Sequence, residues 1–194
     1  MLSRKFDDAL QYATLIHAGQ TRKGTDIPYL SHLLGVASIA MEHGADEDET
    51  IAALLHDAGE DAGGEPRIND IRQRFGNRVA DIVECCTDTL ETPKPDWRKR
   101  KEKYIARLPQ ESASARLVSA ADKLHNARAI LRDFRIHGES LWTRFRGGKE
   151  GTLWYYRELV KAFRRTDLDV NKELTELIDE LDRVTSELHR LATV

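Results

Sequence analysis

The stretch LLHDAGED, Leu54-Leu55-His56-Asp57-Ala58-Gly59-Glu60-Asp61, closes the apolar run IAALL (51–55) and sets one histidine and three carboxylates within six residues. Ile51, Leu54 and Leu55 mark a buried side, so the ionisable cluster stands at the border between core and cleft. Read as one helix from Asp46 to the Gly63-Gly64 break, it puts residues four apart on one face, His56 above Glu60 and Asp57 above Asp61. Acidic side chains near a helix C-terminus oppose the helix dipole. A metal ion, a cationic side chain or a bound partner has to compensate them. The plain alternative is an exposed acidic helix end, and an HD dipeptide alone recurs by chance.

Working outward, helical periodicity dominates and alternating strand patterns are nearly absent. The first helix is expected from about Lys5 to Ala18, followed by an irregular loop, GQTRKGTDIP, and then LSHLLGVASIAMEHG, which closes on Gly44. RINDIRQRFG, NRVADIVECCTDT, WRKRKEKYIARL, SASARLVSAADKLHNARAILRDF and TLWYYRELVKAF read as further helices. TLETPKPDW, with two prolines, is the clearest loop. The expected class is all-α, a helical bundle of about eight to ten helices with a C-terminal amphipathic helix. Residues 1–165 read as the main domain and 166–194 as that terminal helix, whose seam is Val170, Leu174, Leu177, Leu181, Val184, Leu188 and Leu191. Packing on its own domain is the favoured reading of the seam, and self-association into a homo-oligomer the alternative.

The chain has 194 residues, 40% of them hydrophobic, enough for one large domain. Its 32% charged residues leave a formal net charge of only −3, against a generic binder of nucleic acid or membrane surface. No apolar stretch approaches the roughly 18 to 20 residues that span a bilayer, and the start MLSRKFDDALQYA reads as an amphipathic helix. Cys85 and Cys86 are sequence neighbours, which excludes a disulfide framework and a four-thiolate zinc site and leaves them as small hydrophobes. The expected location is the cytoplasm.

Two more ionisable residues interrupt apolar runs: His32 in PYLSHL and Asp122 in SAADKLHN. Imidazole and carboxylate donors suit divalent manganese, iron or zinc. Taken singly, each of His32, His56, Asp57 and Asp122 fits a structural role; jointly they suit one ion gripped by three antiparallel helices. His17, His43, His125 and His137 read as structural or exposed.

The order H…HD…D resembles the HD superfamily of metal-dependent phosphohydrolases. HAGQTRKGTDIPYLSH, AALLHDAGED, IRQRFGNRVADIVECCTD and LVSAADKLHNAR, from about Phe6 to Arg132, are similar to the hydrolase domain of the RelA/SpoT family. Those enzymes remove the 3′-pyrophosphate from the alarmones ppGpp and pppGpp. The length matches the stand-alone small alarmone hydrolases of the metazoan SpoT-homologue type. The resemblance implies that His32, His56, Asp57 and Asp122 ligate one manganese ion. It implies that Glu60 and Asp61 orient and deprotonate the attacking water. Arg22 and Lys23 then face the nucleotide, Asn126 touches its sugar or base, and Tyr155 or Tyr156 supplies ring contacts. Departures from the family pattern are Gly24 in place of a serine, a loop one residue longer, Ser31-His32-Leu33 in place of an HP pair, and Ala129 in place of a threonine.

The implied partner is a small nucleotide. A bound divalent ion acts as Lewis acid and acidifies water, and Arg22 and Lys23 grip phosphate oxygens. The basic run Arg98-Lys99-Arg100-Lys101-Glu102-Lys103 is either a solvated helix face or a steering flank of the cleft. Two other readings are an HD-type phosphatase or nucleotidase acting on a dNMP or NADPH, and a nucleotide-binding module without turnover.

Overall fold

The computed structural model describes residues 2–91, 93–165 and 172–193, with Asp61 described through its backbone alone. Among them the helices are α1 (Arg4–Ile16), α2 (Leu30–Glu42), α3 (Glu47–Leu55), α4 (Ala58–Asp61), α5 (Gly64–Phe75), α6 (Asn77–Cys86), α7 (Trp97–Arg107), α8 (Ala113–His137), α9 (Gly148–Phe163) and α10 (Lys172–Ala192). Short 3₁₀ turns at Leu108–Gln110 and Gly138–Arg144 join α7 to α8 and α8 to α9. The described residues form no strand, only an isolated bridge between Thr21 and Pro28, in keeping with the all-α expectation.

Helix starts follow their capping chemistry. Asp46 and Glu49 form a reciprocal capping box at the head of α3, and Ser112 accepts from the Ala115 amide at the head of α8. Helix α8 is the axis of the bundle, packed by α2, α3, α6 and α10. Its middle therefore lacks a solvent side, and Leu117, Val118, Ala120, Ala121 and Leu124 are all buried. Small residues in this run let the neighbouring helices come close to Asp122.

Helix α10 lies along α8 and α9 with Leu174, Leu177, Ile178, Leu181 and Leu188 buried. Ion pairs flank this contact, Arg128 with Glu180, Arg135 Nη2 with Glu187 Oε1 at 2.6 Å, and Arg164 with Asp179 and Asp182 at 2.9 Å each. Val170 of the expected seam lies outside the described residues.

Two expectations are corrected. The helix carrying IAALL does not run on through LLHDAGED: α3 stops at Leu55, His56 and Asp57 turn, and α4 begins at Ala58. The His56 ring accounts for the stop, because its Nδ1–H donates to the Ala53 carbonyl at 2.8 Å, the acceptor that a continuing helix would offer to the Asp57 amide. The stacking of His56 on Glu60 and of Asp57 on Asp61 is lost with it. The loop GQTRKGTDIP is not irregular either. Arg22 N–H donates to Ile27 O at 2.8 Å and Tyr29 N–H to Gln20 O at 2.9 Å, closing a small hairpin with Gly24 at its turn (φ +72°).

Candidate active site

Three elements bring His32, His56 and Asp57 into one group, with Asp122 approaching it through the two imidazoles. The first turn of α2 carries His32, the α3–α4 turn carries His56 and Asp57, and the middle of α8 carries Asp122. Donor atoms of His32, His56 and Asp57 all lie within 4.8 Å of one another. Asp57 Oδ2 is 2.9 Å from His56 Nε2 and 3.5 Å from His32 Nε2. Asp122 Oδ1 is 3.2 Å from His32 Nε2 and 3.5 Å from His56 Nε2.

These contacts lack hydrogen-bond geometry: both Nε2 atoms are buried and neither has a hydrogen-bond partner. Buried imidazole nitrogens in that condition call for something between them. Ligands about 2.1 Å from a first-row divalent ion stand roughly 3.0 to 3.5 Å apart at ordinary coordination angles. The four His–Asp spacings, 2.9 to 3.5 Å, fit such an ion, and so do the donor types.

Electrostatics point the same way. Burial opposes charge on His56, yet the Asp57 and Asp122 carboxylates hold its pKa well above the ordinary 6.5. Burial likewise works against the carboxylates, yet His56 pulls Asp57 well below 3.8, and Lys123 with His56 does the same to Asp122. Two buried carboxylates beside these imidazoles call for compensating positive charge.

Supporting contacts surround the cluster. Tyr29 O–H donates to Asp57 Oδ2 at 2.5 Å, Asn126 Nδ2 donates to Asp122 Oδ1 at 2.5 Å, and Lys123 Nζ pairs with Asp122 Oδ2 at 2.6 Å. The His32 and His125 rings face each other Nδ1 to Nδ1 at 2.8 Å. Burial beside His32 and Arg22 lowers the His125 pKa to about 4, so it is neutral and able to accept. His125 thus has a place next to the cluster while lying outside the donor set.

The cluster lies against a cleft of about 930 Å³, lined by Asp57, Asp122, Arg22, Lys23, Glu60 and Asn126 among others, large enough for a nucleotide. Arg22 Nη2 donates to Asn126 Oδ1 at 2.6 Å, tying the hairpin to α8. Lys23 is exposed at the rim. Glu60 faces the cleft with Oε1 2.8 Å from Lys94 Nζ. Asp61 belongs to α4, and its side chain lies outside the described ones. Tyr155 is buried on α9 and also lines the cleft. Cys85 and Cys86 are free; burial raises both thiols, Cys85 to about 12, which argues against thiolate ligation.

The residues missed in the sequence are Tyr29, Lys94 and Lys123. Tyr29 and Lys123 sit inside PYLSHL and DKLHN, but nothing in their spacing tells that their polar ends turn toward Asp57 and Asp122. The basic run divides: Arg98, Lys99 and Lys103 face solvent, whereas Arg100 and Lys101 turn into the cleft wall.

A family model described as an HD domain matches residues 9–153. The chain belongs to the HD-domain family. HD-domain membership brings divalent-metal binding with it, and the His32, His56 and Asp57 group is a cluster able to hold an ion. Among relatives of this HD chain, the guanosine-3′,5′-bis(diphosphate) 3′-pyrophosphohydrolase MESH1 of Drosophila melanogaster is 32% identical over 90% of this chain and 93% of its own. The Xenopus tropicalis protein of that name is 38% identical over 82% and 85%. The HD fold also superposes on a solved structure of a metazoan ortholog of SpoT, said to hydrolyze ppGpp and to play a role in starvation responses. That match has a TM-score of 0.74 and 30% identity, covering 94% of this chain and 96% of the other. Among the described residues, no helix is long and apolar enough to cross a membrane.

Proposed function

We propose that this chain is a metal-dependent hydrolase that removes the 3′-pyrophosphate of ppGpp and pppGpp, giving GDP or GTP and pyrophosphate. The observation that carries the reading is the meeting of His32, His56, Asp57 and Asp122 beside a cleft walled by Arg22 and lysines. Near full-length relatives bearing that activity in their names support it.

In this reading His32, His56, Asp57 and Asp122 hold one manganese ion. When bound, the ion supplies positive charge for phosphoryl oxygens and acidifies water. Tyr29, Asn126, Lys123 and His125 keep the four donors aimed. Glu60, with Asp61, positions the attacking water and takes its proton, and Lys94 fixes the Glu60 carboxylate at the cleft wall. The water oxygen bonds to the phosphorus on O3′, that P–O3′ bond breaks, and O3′ takes up a proton as pyrophosphate leaves. Arg22 and Lys23 offset the substrate's charge, while Asn126 and Tyr155 contact the nucleoside.

We also take α10 as part of the same domain, because its apolar seam is covered by α8 and α9. A cytoplasmic location agrees with the unpaired cysteines.

The test is product analysis by ion-exchange chromatography with manganese-loaded protein and a panel of ppGpp, NADPH and dNMPs. The reading expects GDP and pyrophosphate from ppGpp as the fastest reaction. Much faster cleavage of NADPH or a dNMP would replace the alarmone assignment, and no turnover of any substrate would favour a binding module.

A further inference from the structure

Helix α4 carries Glu60 and is only four residues long, closed by the Ala62 amide donating to the Ala58 carbonyl at 3.1 Å. One turn does not hold itself together in water, because nucleating a helix fixes more backbone than its few bonds repay. The head of α4 is fixed, since Tyr29 and the imidazoles meet Asp57, the residue before Ala58. Its tail runs into Gly63 and Gly64, both at positive φ (+136° and +64°), a junction with little stiffness of its own. Contacts beyond α4 have to set where Glu60 stands.

Two contacts with α5 do so. Ala58 and Gly59 are buried, and a Cβ on Gly59 would come 2.7 Å from Ile68 Cδ1, so α4 lies directly on α5 there. At the tail, Arg67 Nε donates to the Ala62 carbonyl at 2.7 Å, satisfying an acceptor left over at the helix end. Arg67 is itself held. Its Nη1 donates to the Tyr12 hydroxyl oxygen at 2.8 Å, that O–H donates to Asp70 Oδ2 at 2.5 Å, and Arg74 Nε donates to Asp70 Oδ1 at 2.8 Å. The guanidinium carbons of Arg67 and Arg74 lie 5.5 Å and 5.2 Å from the Tyr12 ring centre. Tyr12 is buried on α1, so the tail of α4 is tied through one arginine to two longer helices.

We propose that Arg67 is a positioning residue for the water-activating acid: by holding the Ala62 carbonyl from α1 and α5, it fixes the pose of α4 and keeps the Glu60 carboxylate at the cleft. The inference rests on the reading of Glu60 as the base in ppGpp hydrolysis and deepens it. Arg67 does not line the cleft, so it acts only through α4. Tyr12 and Asp70 hold the guanidinium at the angle that serves Ala62. The plain alternative is a local tie, in which Arg67 closes the Gly63-Gly64 turn at the start of its own helix and turnover is indifferent to it.

The experiment is amide hydrogen exchange read by mass spectrometry, beside steady-state kinetics with ppGpp. It uses manganese-loaded wild type, Arg67→Met, Tyr12→Phe, Glu60→Gln and the double variant of Arg67→Met with Glu60→Gln. Methionine keeps an apolar stem in place of Arg67 and removes its donors. Arg67→Met is expected to speed exchange across residues 58–62 by about tenfold or more, with α2 and α8 protected as in wild type. It should lower kcat by about ten- to a hundredfold, the scale of misplacing a reacting group by about an ångström, with KM and manganese stoichiometry unchanged. Tyr12→Phe should move both readouts the same way by a smaller factor, and it carries the comparison should Arg67→Met not fold. In the Glu60→Gln background Arg67→Met should cost nothing further, because a residue acting through Glu60 then has nothing left to position. Unchanged exchange at 58–62, exchange that speeds equally throughout the chain, or unchanged kcat overturns the proposal. So does a full additional loss in the double variant, or a loss confined to KM or to metal content. Faster exchange at 58–62 in variants of a protein that fails to cleave ppGpp would sustain the clamp and reject the activity. Wild-type cleavage of ppGpp with exchange at 58–62 indifferent to both Arg67→Met and Tyr12→Phe would reject the clamp alone.

Discussion

His125 Nδ1 lies 2.8 Å from His32 Nδ1, so the imidazole that aims Nε2 at the donor cluster is held from behind by a second ring. For His32 Nε2 to offer a lone pair, its Nδ1 carries the hydrogen and His125 accepts it. The His125 ring in turn fits against Gly35, where any Cβ would overlap it. Gly35→Ala should push His125 off His32 and weaken metal binding by about ten- to a hundredfold, the range for losing such an orienting partner. Metal titration of the purified variant checks this; unchanged affinity would mean that His32 needs no support.

The two groups of acidic and imidazole residues should separate by phenotype. His56→Ala and Asp57→Ala should abolish both stoichiometric metal binding and turnover. Glu60→Gln should retain the ion and slow turnover by roughly a hundredfold or more, the scale of removing a general base. Metal analysis beside steady-state kinetics reads both, and equal metal loss in all three variants contradicts the division.

Protons and metal should compete at His56. A raised imidazole pKa contributes stability that is complete below about 6.5 and disappears as pH rises through the higher folded-state value. The depressed Asp57 and Asp122 contribute stability above about 3.8 that is lost as pH falls through their folded-state values. The metal-free cluster is therefore most stable between these limits and loses its compensating charge toward alkaline pH. The rise in melting temperature on adding manganese should grow from about pH 6 to about pH 8. A rise that shrinks over that range would show that the ion does not replace the His56 proton.

Helix α10 should behave as core. Leu181 is fully buried, so Leu181→Ala should cost about 2 to 5 kcal/mol by denaturant unfolding, with metal stoichiometry unchanged under native conditions. A cost near zero would return α10 to the role of a separate association helix.

The bundle is legible in the sequence because apolar residues recur at helical spacing and caps such as Asp46 with Glu49 and Ser112 mark the starts. The four candidate donors are legible because His32, His56, Asp57 and Asp122 interrupt apolar runs, where an unpartnered ionisable residue would be costly. The break at His56–Asp57 is not, since it depends on one imidazole capturing the Ala53 carbonyl, a choice of side-chain rotamer that periodicity does not register. The contact of Tyr29 and the inward turn of Lys101 stay hidden for a related reason. Their polar ends travel several ångströms from their own helices, and only tertiary packing decides where those ends arrive.

The central claim is that four side chains from three elements grip one ion. Crystals of the protein grown with manganese and measured at the manganese absorption edge test it directly. The account predicts a single anomalous peak per chain within bonding distance of His32 Nε2, His56 Nε2, Asp57 and Asp122. A peak elsewhere, or a filled cluster with His32 or Asp122 turned away from the ion, would contradict it.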